Sequence, residues 1–316
     1  MKRFGLIMIL VAGMMLSGCG DKDEDTLVFY VGGTMQPAMA ELVKIYEART
    51  GQAVEIDKSG SGVLLNRIRL EKSADVFICH DPFVDELMEG KKGKFGVDSW
   101  TVSQITPVIV VQPGNPKGIK TIGDLAGKDI KVAVTDLDYS TCGHMLSNMF
   151  DKDGVDIIQE EKRVYLRKDG VEKEIVTYRS GARTCDTVKN RKFDAAIVWN
   201  AVAHLRGDGV QVISIGKHLP VPGVDTVTSA TDKIRDLGRI RVTVVTLSCS
   251  KKPEAARKFA EFIASEEAQK TFREFGFTDV GGVVKDYENG KKIAPATTPA
   301  TTPATTPATA PATRTE

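Results

Sequence analysis

The chain has 316 residues, 41% of them hydrophobic and 27% charged, with 43 Lys and Arg against 42 Asp and Glu for a formal net charge of +1. That balance excludes the strongly basic surface of a nucleic-acid binder, and the length allows one large or two modest domains with a sizeable core. No GxSxG elbow, HExxH helix, P-loop or GxGxxG turn occurs, so the chain reads as a binder rather than an enzyme.

Lys2 and Arg3 precede an apolar run from Phe4 to Met15, and Leu16, Ser17, Gly18 and Cys19 follow it. This is the layout of a bacterial export signal, with an apolar run too short to span a bilayer. The four residues ending at Cys19 are similar to the bacterial lipobox, which implies that residues 1–18 are a signal peptide and that Cys19 carries the lipid. Residues 19–25 then form an acidic tether, and the acyl chains hold the protein on a membrane without spanning it. Removing residues 1–18 takes two basic residues and leaves a formal charge of −1. At the other end, residues 283–316 read as a disordered tail, a Pro/Ala/Thr repeat from Ala294 onward.

Between these ends the pattern is strand, turn and helix. TLVFYVGG is β-branched and aromatic and breaks at two glycines, after which Met39, Leu42, Val43 and Tyr46 recur at helical spacing. QAVEIDKSGSG and VLLNRIRLEKS repeat the form, with Leu64, Leu65 and Ile68 on one helix face, and ADVFICHD with DPFVDELMEG supplies a third unit. ITPVIVVQPGNP is a long apolar strand that crosses to a second lobe, where TIGDLAG, IKVAVTD, YSTCGHMLSNMFDKDG, EKEIVTYRSGART, TCDTVKNRKF, DAAIVWN and VQVISI restart the alternation. The stretch from Gly216 to Arg239 looks irregular. RIRVTVVTLS crosses back, and two helices follow with Phe259, Phe262 and Ile263 on one face and Phe272 and Phe275 on the next. The expected fold is α/β and two-lobed, each lobe a mostly parallel sheet flanked by helices. Residues 26–106 and 240–282 form one lobe and 107–239 the other, with Pro107 to Val111 and Val242 to Leu247 as the crossing hinge strands.

Four junctions place Gly, Ser or Thr where a strand hands over to a helix: VGGTM, KSGSGV, YSTCGH and RSGART. Such turns present the unpaired N–H groups and partial positive charge of a helix N-terminus, a ready anion site when several converge on one cleft. Ordinary N-capping accounts for any one of them taken alone.

FYVGGTMQPAM, SGSGVLLNRI, ADVFICHD, TPVIVVQPGNPKGIKTIGDLA, FDAAIVWN and KKPEAARKFAEFIASEEAQKTFREFGF occur in that order, and together they resemble the periplasmic molybdate-binding proteins of ABC importers over most of residues 26–278. The resemblance implies a periplasmic-binding-protein-like fold that holds tetrahedral molybdate or tungstate between its lobes through neutral donors, needs no cofactor, and hands the ligand to a membrane permease as a monomer. Carried onto this chain, the ligand positions are Gly32, Thr34, Ser61, Cys142, Gly181 and Trp199. Trp199 stands where a hydrogen-bonding Tyr is frequent, and it donates but cannot accept. Arg183, just inside a helix start, is unexpected in a neutral-donor site and reads as a solvated residue. Sulfate or phosphate remains the alternative ligand.

Cys79, His80, Cys142, His144 and Cys185 suggest a soft-metal site, but Cys79 and His80 are adjacent on a strand and so face opposite ways. A disulfide between Cys142 and Cys185 suits an exported protein. A two-lobed transferase using Cys142 or His144 is the enzyme alternative.

Overall fold

The computed structural model describes residues 25–228, 234–238 and 240–293. The expected export signal, Cys19 and the repeat from Ala294 lie outside the described residues. In chain order the first lobe contains β1 (Leu27–Gly32), α1 (Gln36–Thr50), β2 (Val54–Ser59), α2 (Ser61–Glu71), β3 (Val76–His80), α3 (Phe83–Met88) and β4 (Gly96–Ile105). The second contains β5 (Pro107–Val111), β6 (Val132–Thr135), α4 (Thr141–His144), α5 (Leu146–Asp151), β7 (Asp156–Glu160), β8 (Arg163–Lys168) and β9 (Val171–Tyr178). It continues with α6 (Gly181–Lys189), β10 (Ala195–Trp199), α7 (Asn200–His204), β11 (Gln211–Ser214) and a small hairpin of β12 (Thr226–Thr228) and β13 (Ile234–Asp236). The chain then returns to the first lobe through β14 (Ile240–Leu247), α8 (Pro253–Ile263), α9 (Glu266–Glu274), β15 (Val284–Glu288) and β16 (Lys291–Lys292).

Two seven-stranded sheets result, ordered β16-β15-β4-β14-β3-β1-β2 and β11-β5-β10-β6-β9-β8-β7. Both are mixed. Each sheet was expected to be mostly parallel, but parallel pairing is confined to β2-β1-β3 in one sheet and β10-β6-β9 in the other, with antiparallel strands completing each. The expected tail is also shorter than residues 283–316, because β15 pairs with β4 and β16 with β15.

Period-two alternation sorts the first sheet's side chains between two helical layers. Phe29 and Val31 face the cluster containing Met39, Leu42 and Phe259, whereas Tyr30 and Phe77 face Leu64, Ile68 and Leu87. In α8, Ala256, Phe259, Ala260 and Ile263 fall on one stripe, and Phe259 meets Phe29 edge-on with ring centroids 5.0 Å apart. Burying each such large side chain contributes about 1.5–3 kcal/mol.

The crossings fall at the starts of the two long strands rather than along them. Only Thr106 separates β4 from β5, and on the return β14 begins at Ile240, opposite Ile105 at the end of β4. Asn200 ties this junction together: its N–H donates to Thr106 O at 2.8 Å, its Oδ1 accepts from Thr106 N–H at 2.9 Å, and its Nδ2 donates to Gly276 O and Thr278 Oγ1 at 2.8 and 3.0 Å.

Candidate functional site

Because β1, β2 and β3 are parallel, as are β6, β9 and β10, each set ends its strands on one edge, and the turns that follow lie side by side. In the first lobe, Gly33 N–H donates to Ser59 O at 3.0 Å, joining the turn after β1 to the end of β2. A methyl group on Gly32 would lie 2.6 Å from Ser61 Oγ and 2.5 Å from Met35 Cε, so only glycine leaves the Ser61 hydroxyl in place. Gly60, not Ser61, is the N-cap of α2, and it caps with no side chain. Ser61 is therefore the first helical residue, buried, with a hydroxyl that bonds no protein group among the described residues. It and Gly62 carry helix-start N–H groups without intrahelical acceptors. Thr34 is half-buried in the turn ahead of Met35, which occupies the N-cap of α1.

In the second lobe, Gly181 opens α6 behind the cap Ser180, whose hydroxyl accepts from Arg183 N–H. The space beside Gly181 is bounded by Val202 and Thr135, which brings the turns after β6, β9 and β10 together. Trp199 ends β10 and is buried. Arg183 is exposed and lies over Tyr178, and Arg179 lies over Tyr139 with its guanidinium carbon 4.1 Å from the ring centroid. Asp136 and Asp138 lie in the same turn as Tyr139, so both signs of charge are present on this rim.

Cys142 departs from the expectation. Its side chain is fully buried in the core and burial pushes its thiol up to about 12, so it is a small hydrophobe. Only its backbone N–H, in the first turn of α4, remains a candidate donor. Cys185 is likewise a buried free thiol, pushed up to about 11 by burial, so the expected disulfide is not formed. Among the described residues no group of three or more His, Cys, Asp or Glu is arranged to hold a metal ion.

The two edges meet at His80 and Trp199, whose ring centroids are 6.1 Å apart. His80 ends β3, so this pair joins one carboxyl edge to the other. In the sequence His80 stands out only as a candidate metal ligand; what marks it for the cleft is its place as the last residue of a parallel strand. Its imidazole also meets Phe83 at 5.6 Å, and its Nδ1–H donates to Asp81 O at 2.7 Å. The Asp81 carboxylate faces away to accept from Arg241 N–H, Nε and a terminal guanidinium nitrogen at 2.9, 2.9 and 3.0 Å. Beside Asp81, a cavity of about 20 Å³ lies between the lobes, bounded by Pro82, Thr141, His144, Leu237 and Ile240. That is room for about one water molecule. A wider depression of about 430 Å³, lined by Lys117, Asp124, Lys128 and Lys168, lies at the amino-terminal ends of β6 and β9. It is at the opposite edge from the turn cluster, and the functional reading rests on the turns.

The sequence profile of the bacterial extracellular solute-binding proteins matches residues 27–278. The chain belongs to that family. This solute-binding protein is 23% identical over 271 residues to a putative binding protein of Haemophilus influenzae, a match covering 85% of this chain and 97% of the relative. The substrate-binding domain of a putative molybdenum ABC transporter from Clostridium difficile superposes with a TM-score of 0.56 at 20% identity, over 81% of this chain and 99% of that one. A sulfate-binding protein from Mycobacterium tuberculosis superposes with a TM-score of 0.55 at 17% identity, over 81% and 87% of the two chains. These solved structures share the two-lobed α/β architecture of the solute-binding protein.

Proposed function

We propose that this solute-binding protein is a lipid-anchored, extracytoplasmic carrier that takes a tetrahedral oxyanion, molybdate or tungstate, into the cleft between its lobes and passes it to the permease of an ABC transporter. It acts as a monomer and by binding alone, without turnover. The observation that carries this reading is the placement of Ser61 and Gly32 on one carboxyl edge and Gly181 on the other, with His80 and Trp199 in contact between the edges. Helix-start N–H groups and a hydroxyl free of protein partners are suited to replace the hydration of a dianion from both sides. Membership of an extracellular binding family supports the location, and the likeness to a molybdenum transporter's binding domain supports the ligand class. The anchor rests on the sequence around Cys19.

Calorimetry of the purified full chain against molybdate, tungstate, sulfate and phosphate tests the reading. Molybdate and tungstate are expected to bind, with affinity lost in Ser61→Ala. Binding of none of the four anions would overturn it.

A further inference from the structure

The cleft turns offer donors, which suit an anion that has lost all its protons. His80 adds a group of the opposite kind. A carbonyl only accepts, so the bond from His80 to Asp81 O places the imidazole proton on Nδ1 and leaves the Nε2 lone pair free whenever the ring is neutral. Among the described residues no protein group bonds Nε2. The residue is partly exposed, and desolvation of the imidazole holds it below its ordinary pKa against the weaker opposing pull of Asp81. The neighbouring carboxylate is engaged by Arg241, so the carbonyl, not the carboxylate, fixes the tautomer. Packing against Phe83 and Trp199 holds the ring where the two lobes meet.

We infer that His80 is a specificity-determining residue whose Nε2 accepts a hydrogen bond from the ligand, so that the cleft admits tetrahedral oxyanions retaining one proton, of the hydrogen phosphate class, alongside fully deprotonated ones. The inference rests on the oxyanion reading and deepens it. Backbone N–H groups cannot accept the proton of hydrogen phosphate, so in a cleft built from them that proton meets a desolvation cost that sulfate and molybdate do not; the Ser61 hydroxyl accepts as well as donates, and Nε2 of a neutral ring adds a group that only accepts. With Nε2 present that proton has a partner, as in other sites that discriminate through one buried polar group.

Sulfate and phosphate are the matched probes, because near neutral pH the first carries no proton and the second carries at least one. Calorimetry of the full chain is expected to show phosphate binding within roughly tenfold of sulfate. In His80→Phe, which keeps an aromatic ring against Phe83 and Trp199, the phosphate-to-sulfate affinity ratio is expected to fall by roughly tenfold or more. In His80→Gln, whose amide oxygen accepts, the ratio should recover in part. Nitrogen NMR of the wild-type imidazole needs no variant: the Nε2 resonance should move on adding phosphate and stay in place with sulfate. An unchanged ratio in His80→Phe, an Nε2 signal indifferent to phosphate, or sulfate binding without phosphate binding would each overturn the inference while leaving the oxyanion reading intact. Failure of sulfate, phosphate and molybdate alike would overturn both.

Discussion

Replacing Ser61 with Ala removes one hydroxyl from the first turn of α2 and leaves the backbone donors in place. The side chain is buried, does not cap the helix, and bonds nothing in the protein among the described residues. Losing a capping side chain costs about 1 kcal/mol, but Gly60 holds the cap position here, so unfolding free energy should change by less than about 0.5 kcal/mol. A hydrogen bond to a charged group is worth about 1.5–3 kcal/mol, so molybdate affinity should fall roughly 10- to 150-fold. Calorimetry gives the affinity and denaturant unfolding of the ligand-free protein gives the stability, both on the same variant. A loss of about 1 kcal/mol in stability with affinity spared would show that the hydroxyl serves the helix, and would refute the reasoning.

Gly32→Ala puts a methyl 2.6 Å from Ser61 Oγ and 2.5 Å from Met35 Cε; the Met35 end can move aside, but the hydroxyl must shift, so molybdate affinity should drop at least tenfold in calorimetry. Asp225 is held down to about 2 by hydrogen bonds from Lys152, Val221 N–H and Asn148, against an ordinary value of 3.8. A depressed carboxylate stabilises the fold above its unfolded pKa and loses that contribution as pH falls through the folded one. Melting temperature should therefore decline more steeply from about pH 4 to pH 2 in the wild type than in Asp225→Asn, and parallel declines would count against the assignment. Cys19→Ser should leave the protein unprocessed or soluble on cell fractionation; membrane retention with the signal removed would show that the anchor lies elsewhere.

The first three strand-turn-helix units were legible because β1 and β3 are apolar on both faces and because β1 and β2 end in glycine and serine ahead of a helix. β4 was not read, because Ser99, Thr101 and Ser103 interrupt its apolar pattern. These are buried all the same: Thr101 Oγ1 donates to Asp286 and Ser103 Oγ to Thr278 O, both from chain more than 170 residues later. No local window contains such partners. The β8–β9 hairpin carried a visible signal, Asp169 and Gly170 between two alternating runs, and both residues take positive φ as a tight hairpin turn demands. Gly32, Ser61 and Gly181 stand at turns that turn chemistry by itself marks as candidate anion positions. A buried thiol and a cleft-facing one look alike in sequence, so the core position of the Cys142 side chain was not legible, and the character of His80 depends on a carbonyl contact that only the fold creates.

Trp199 and Asn200 are consecutive, so the aromatic wall of the cleft is covalently joined to the residue that bonds Thr106 on one side and Gly276 and Thr278 on the other. If one lobe swings on the other about this knot, every group moves in proportion to its lever arm from it. Trp199 has almost none. It stays near the fulcrum as a fixed stop, while the outlying turns sweep the larger arc. A substitution at Asn200 would then alter the timing of capture and release, seen in stopped-flow rates, before it altered any contact made by the captured anion.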